Sequence, residues 1–75
     1  MKEVIEVLEE VKPGEDYKNN KTLVSDGVLT SFDIVMLVSL LNEKFGVNIS
    51  VMDLVPENFE SVESIHSMIE KLKNN

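Results

Sequence analysis

Apolar residues recur at helical spacing in three separate segments, and no two stretches of the chain offer strands that could pair with each other. Ile34, Leu37, Val38, Leu41 and Phe45 follow the i, i+3, i+4, i+7, i+11 pattern. At about 100° per residue they fall on one core-facing stripe. Thr30 can cap this segment by accepting a first-turn N–H, and Gly46 ends it. Lys2 to Val11 places Val4, Val7, Leu8 and Val11 on one side, with Glu3, Glu6, Glu9 and Glu10 largely elsewhere, until Pro13-Gly14 stops it. The last segment begins at Ser61, an N-cap residue, with Glu63 in its first turn. Val62, Ile65, Ile69 and Leu72 form its stripe, Met68 sits at the edge, and Lys71 and Lys73 suit its C-terminal end. Val47, Ile49 and Val51 alternate with polar residues, but a lone strand has no partner, so an extended connector pinned by these side chains is expected. Asp53-Leu54-Val55-Pro56 and Pro56-Glu57-Asn58-Phe59 read as one or two helical turns, with Pro56 preset for a helix start and Phe59 in the core. The expectation is an all-α fold, a small four-helix bundle of three main helices and one short one. The helix after Ser31 is expected to pack against the first and the last.

The long polar stretch from Glu15 to Leu29, anchored by Tyr17, Leu23, Val28 and Leu29, delivers Ser31 to the start of the second helix. There, unpaired N–H groups and the positive end of the helix dipole favour an anion, above all a phosphate. Phe32, Met36, Ser39 and Glu43 fall opposite the core stripe. Phe32 and Met36 are therefore either covered by helices on both sides or left as a docking patch beside Ser31.

Seventy-five residues make one domain, spanning 1–75, with about 60% of its unfolded surface available for burial. The absence of cysteine excludes disulfides and thiolate metal sites, and a single histidine, His66, builds no histidine cluster. The acidic residues lack EF-hand spacing, so no metal site is expected. No paired acid and base and no Ser-His-Asp spacing is present, so the chain does not read as an enzyme. Fourteen acidic residues against seven lysines and no arginine disfavour nucleic acid and anionic membranes and favour basic protein surfaces as partners. From Asp26 to Glu63, Lys44 is the sole basic residue against seven acids. Such a field can steer basic partners, or it can serve only as a solvated face. Acids interrupt the apolar residues near Met1-Lys2-Glu3 and no apolar run is long enough for a bilayer, so a cytoplasmic monomer is the expectation.

The run Asp26-Gly27-Val28-Leu29-Thr30-Ser31-Phe32-Asp33 resembles the acyl carrier protein family, which includes the peptidyl and D-alanyl carriers. Leu37, Leu41, Glu43, Phe45, Gly46, Val47, Ile49, Asp53, Pro56-Glu57-Asn58-Phe59, Ser61, Val62 and Ile65 extend the likeness over most of the chain. The resemblance implies that Ser31 is esterified to 4′-phosphopantetheine, supplied from coenzyme A by a phosphopantetheinyl transferase. The arm's thiol would carry acyl or aminoacyl groups as thioesters, as in fatty-acid, polyketide or nonribosomal peptide biosynthesis. It also implies an enzyme-docking face including Asp26, Phe32, Asp33, Met36 and Glu43, read by loading and transferring enzymes with basic surfaces. The family usually has Asp directly before the serine; Thr30 here keeps the capping role and drops a negative charge. Many fatty-acid carriers have an acid where Met36 stands, so this docking surface is more apolar and points to a specialised partner set. Phe32 in place of the commoner leucine is similar to D-alanyl and some peptidyl carriers. The competing reading is an unmodified helical adaptor that shares the fold, with Thr30 as the sign of lost attachment.

Overall fold

The computed structural model describes residues 2–74, and among these the fold is all-helical, with no strand. Helix α1 spans Lys2–Val11, α2 spans Ser31–Phe45 and α3 spans Val62–Lys73. The expected short fourth helix is replaced by two 3₁₀ turns, Val51–Asp53 and Pro56–Asn58. Pro56 occupies the first position of the second turn, where its missing N–H costs nothing, but Phe59 already closes the turn by donating to the Pro56 carbonyl at 3.0 Å. With each turn ended after three residues, no α-helical ladder builds.

The packing order also departs from expectation. Helix α1, rather than α2, is the central element, lying against both α2 and α3, while the Pro56–Asn58 turn packs on α3. The reason lies in the breadth of its apolar arc: Val4, Val7 and Leu8 are buried, and Ile5 and Val11 pack partly against the same core. In α2 the predicted stripe faces inward, with Leu37 and Leu41 fully buried and Ile34, Val38 and Phe45 packed against the core. Met68, expected at the edge of the α3 stripe, is buried with Val62, Ile65 and Ile69. Val51 does not pin the connector, since Ile49 alone of the alternating trio is buried and Val51 is 83% exposed.

Both ends of α2 are specified locally. Gly46 adopts the left-handed conformation at φ 65° and closes the helix with an N–H bond to the Asn42 carbonyl. Asn42 also holds the departing chain, its Oδ1 accepting from the Ile49 amide at 2.9 Å. At the other end, Thr30 in extended conformation is the N-cap.

Candidate functional site

The region around Ser31 starts from a reciprocal cap. Thr30 Oγ1 accepts from the Asp33 amide at 3.2 Å, and Asp33 Oδ2 accepts from the Thr30 amide and the Thr30 hydroxyl, each at 3.0 Å. Two donors that a helix start leaves unmet are thereby satisfied. Ser31, the first residue of α2, is exposed, and its hydroxyl makes no hydrogen bond among the described residues. The amides of Ser31 and Phe32 precede the first intrahelical bond, which the Ile34 amide makes to the Thr30 carbonyl, and find no acceptor among the described residues. An exposed hydroxyl is thus held beside two free N–H donors at the positive end of a fifteen-residue helix.

The loop leading into this site is stitched to the start of α3. The Leu23 amide bonds to the Glu60 carbonyl, while Glu60 Oε1 accepts from the Val24 and Ser25 amides at 2.9 and 3.0 Å. Glu60 Oε2 accepts from the Ser25 hydroxyl, which is the main cause holding this carboxyl below its ordinary range. Gly27, at φ 80°, makes the turn from Val24 toward Leu29, a conformation that a side chain would strain. Tyr17, expected as a packing anchor, is buried and donates its hydroxyl to the Lys12 carbonyl; burial first, then nearby Glu15, raises its pKa to about 12.

The side chains proposed from sequence do not share one environment. Phe32 is 73% exposed and Met36 40%, so no neighbouring helix covers them, and Val35 is open beside them. Asp26 is exposed and accepts from the Thr22 hydroxyl at 2.6 Å. Asp33, by contrast, is committed inward: its side chain is only 13% exposed and lies 3.0 Å from Lys12 Nζ. The bond from the Thr30 amide, followed by Lys12, lowers its pKa. Glu43 is exposed but sits twelve residues beyond Ser31, about 18 Å along the helix axis. There it lines a groove with Glu6, Glu10 and Lys44 between α1 and α2.

A cleft of about 390 Å³ opens beside Ser31, walled by Leu29, Ile34, Leu54, Val55, Pro56 and Phe59 among others. Leu54, Val55 and Pro56 give the cleft an apolar connector side opposite Ile34. Earlier in the same connector, Val51 and Met52 are 83% and 88% exposed. Sequence periodicity could not place these connector residues, because a 3₁₀ turn of three residues has no repeat to read. The roles of Lys12 and Glu60 were equally hidden, since each acts across the fold on residues 16 or more positions away. Asp33 did carry a signal, the Thr30-x-x-Asp33 spacing of a capping box. Among the described residues no group of three or more potential ligands is placed to hold a metal ion, and no helix is long and apolar enough to cross a membrane.

A scan against protein-family models and a search of curated proteins return no match to this chain.

Proposed function

We propose that this chain is a carrier domain that holds acyl or aminoacyl groups on a 4′-phosphopantetheine arm at Ser31 and presents them to partner enzymes. The observation that carries the proposal is the unbonded, exposed Ser31 hydroxyl beside the free Ser31 and Phe32 amides at the start of α2. A phosphodiester at that oxygen fits: the two amides can donate to its nonbridging oxygens, and the helix end favours its charge. The adjoining cleft gives the first atoms of an arm an apolar wall. Once bound, the arm supplies the thiol that this cysteine-free chain lacks. In attachment, Ser31 Oγ forms a new bond to the phosphorus of coenzyme A's pyrophosphate as the nucleotide portion leaves. Its proton passes to a base of the transferase.

Phe32, Met36 and Asp26 offer a docking surface for that transferase and for the loading and transferring enzymes, with Glu43 contributing at longer range. On this reading the Pro56–Asn58 turn stands in for the short fourth helix of the carrier bundle, and the domain works as a cytoplasmic monomer without catalytic activity of its own. A second reading, an unmodified adaptor, is favoured by Thr30 and by the exposed Val51 and Met52, which give a partner apolar surface whether or not Ser31 is modified. Intact mass separates the two. Apo protein incubated with coenzyme A and a broad-specificity phosphopantetheinyl transferase is expected to gain one prosthetic group, and Ser31→Ala none. An unchanged wild-type mass overturns the carrier proposal in favour of the adaptor.

A further inference from the structure

A single ammonium joins the two flanks of Ser31. Lys12 Nζ donates to the Val28 carbonyl at 2.6 Å and lies 3.0 Å from Asp33 Oδ2. Three residues before the serine and two after it, the chain is therefore tied to one atom. Lysine has three donors and can serve both acceptors at once. Lys12 is itself fixed from behind, because its amide bonds to the Leu8 carbonyl at 2.9 Å and its carbonyl accepts the Tyr17 hydroxyl. The pair is not an ordinary surface ion pair, which would contribute little. Asp33 is mostly shielded from solvent and bonded to both the amide and the hydroxyl of Thr30, so Lys12 completes a network.

Charge gives the arrangement a consequence for the site. Asp33 is the acid nearest to Ser31 in sequence. Without a cation it would place a negative charge in the first turn, where an incoming phosphate needs the positive helix end for itself. Thr30 is neutral, and Asp26 sits outside the helix, bonded to Thr22. Pairing Asp33 therefore removes the one carboxylate that the first turn of α2 carries.

Resting on the carrier reading above, we propose that Lys12 is the positioning residue of the Ser31 site. It clamps Val28 and Asp33 so that the serine hydroxyl stands at a fixed place between them, and it cancels the Asp33 charge so that the turn accepts a phosphodiester.

The test compares the wild type with Lys12→Met, Lys12→Arg and Asp33→Asn by two readouts. The first needs no attachment: backbone amide resonances of Ser31 and Phe32, and the titration midpoint of the Asp33 carboxyl. Lys12→Met is expected to shift both amides and to raise the midpoint, and Lys12→Arg to restore both. The second is loading from coenzyme A by a broad-specificity transferase. Lys12→Met is expected to lower kcat about tenfold with little change in KM for the carrier, and Lys12→Arg to return kcat to within about twofold of the wild type. Asp33→Asn, which loosens the clamp but leaves no unpaired negative charge in the first turn, is expected to lose less than Lys12→Met. If Lys12→Met does not fold, Asp33→Asn carries the amide test alone. Unmoved Ser31 and Phe32 resonances in the folded variant, or loading of Lys12→Met at the wild-type kcat, overturn the proposal. A wild type that takes up no prosthetic group defeats the carrier reading instead, and the resonance shifts then decide the clamp without it.

Discussion

Neighbouring residues at the start of α2 divide their work by the direction in which they point. Ser31 and Phe32 face solvent, whereas Asp33, one position on, turns back to Thr30 and Lys12. An acid that the resemblance assigns to a docking face is thus committed to holding the helix start, and Phe32 is left as the large side chain beside the serine. Phe32 has little to lose in the fold, being 73% exposed. Phe32→Ala is expected to change unfolding free energy by no more than about 0.5 kcal/mol, measured by urea denaturation. If the carrier proposal holds, the same variant should raise a phosphopantetheinyl transferase's KM for the protein several-fold with kcat nearly unchanged. A large stability loss would show that Phe32 belongs to the core rather than to a docking face.

Between the elements, one carboxylate ties the middle of the long loop from α1 to α2 to the residues that precede α3. Glu60 accepts from two consecutive loop amides and a hydroxyl, and these bonds lower its pKa from the ordinary 4.5. A carboxyl whose folded pKa is depressed contributes stability that is fully present above its unfolded value and is lost as pH falls through the lower folded value. The loop at Val24 and Ser25 is therefore expected to be protected at neutral pH and to loosen below about pH 4.5, as read by amide hydrogen exchange. Glu60→Gln should abolish most of that acid dependence, because the titrating group is gone. Asp33 has the same sign, being lowered from 3.8, so both flanks of Ser31 should weaken together in acid.

For the molecule as a whole, a small core and a net negative charge set the limits. A domain of 75 residues has a total stability of about 4 to 11 kcal/mol. Phe59 is fully buried where the second 3₁₀ turn meets α3. Its truncation in Phe59→Ala should cost about 3 to 5 kcal/mol, enough to bring the domain close to unfolding at 37 °C, as circular dichroism melts would show. The net charge of −7 acts at longer range. Glu43 is the clean probe of that field, because it is exposed and holds no bond in the site, whereas reversing Asp33 would also break the cap. If the carrier proposal holds, Glu43→Lys should slow loading by a basic transferase at low salt and lose most of that effect above about 0.5 M salt, where screening is nearly complete beyond a few ångströms. An equal effect at both salts would argue for direct contact rather than steering.

By itself the sequence determined the helices. Their apolar periods, the Thr30 and Ser61 caps, Pro13 and Gly46 are all properties of neighbours within one or two turns, and the observed bounds of α1, α2 and α3 follow from them. It also placed Ser31 in the first turn of α2, because capping is a local event. Only tertiary structure decided that α1 lies between the other two helices, that the residues around Pro56 stop at 3₁₀ turns, and that Val51 and Met52 are left exposed. Tertiary structure also brought Lys12 to Asp33 and Glu60 to Val24 and Ser25. These are meetings of side chains far apart along the chain, and their pairing depends on how the helix axes cross, which no repeat within a single segment encodes.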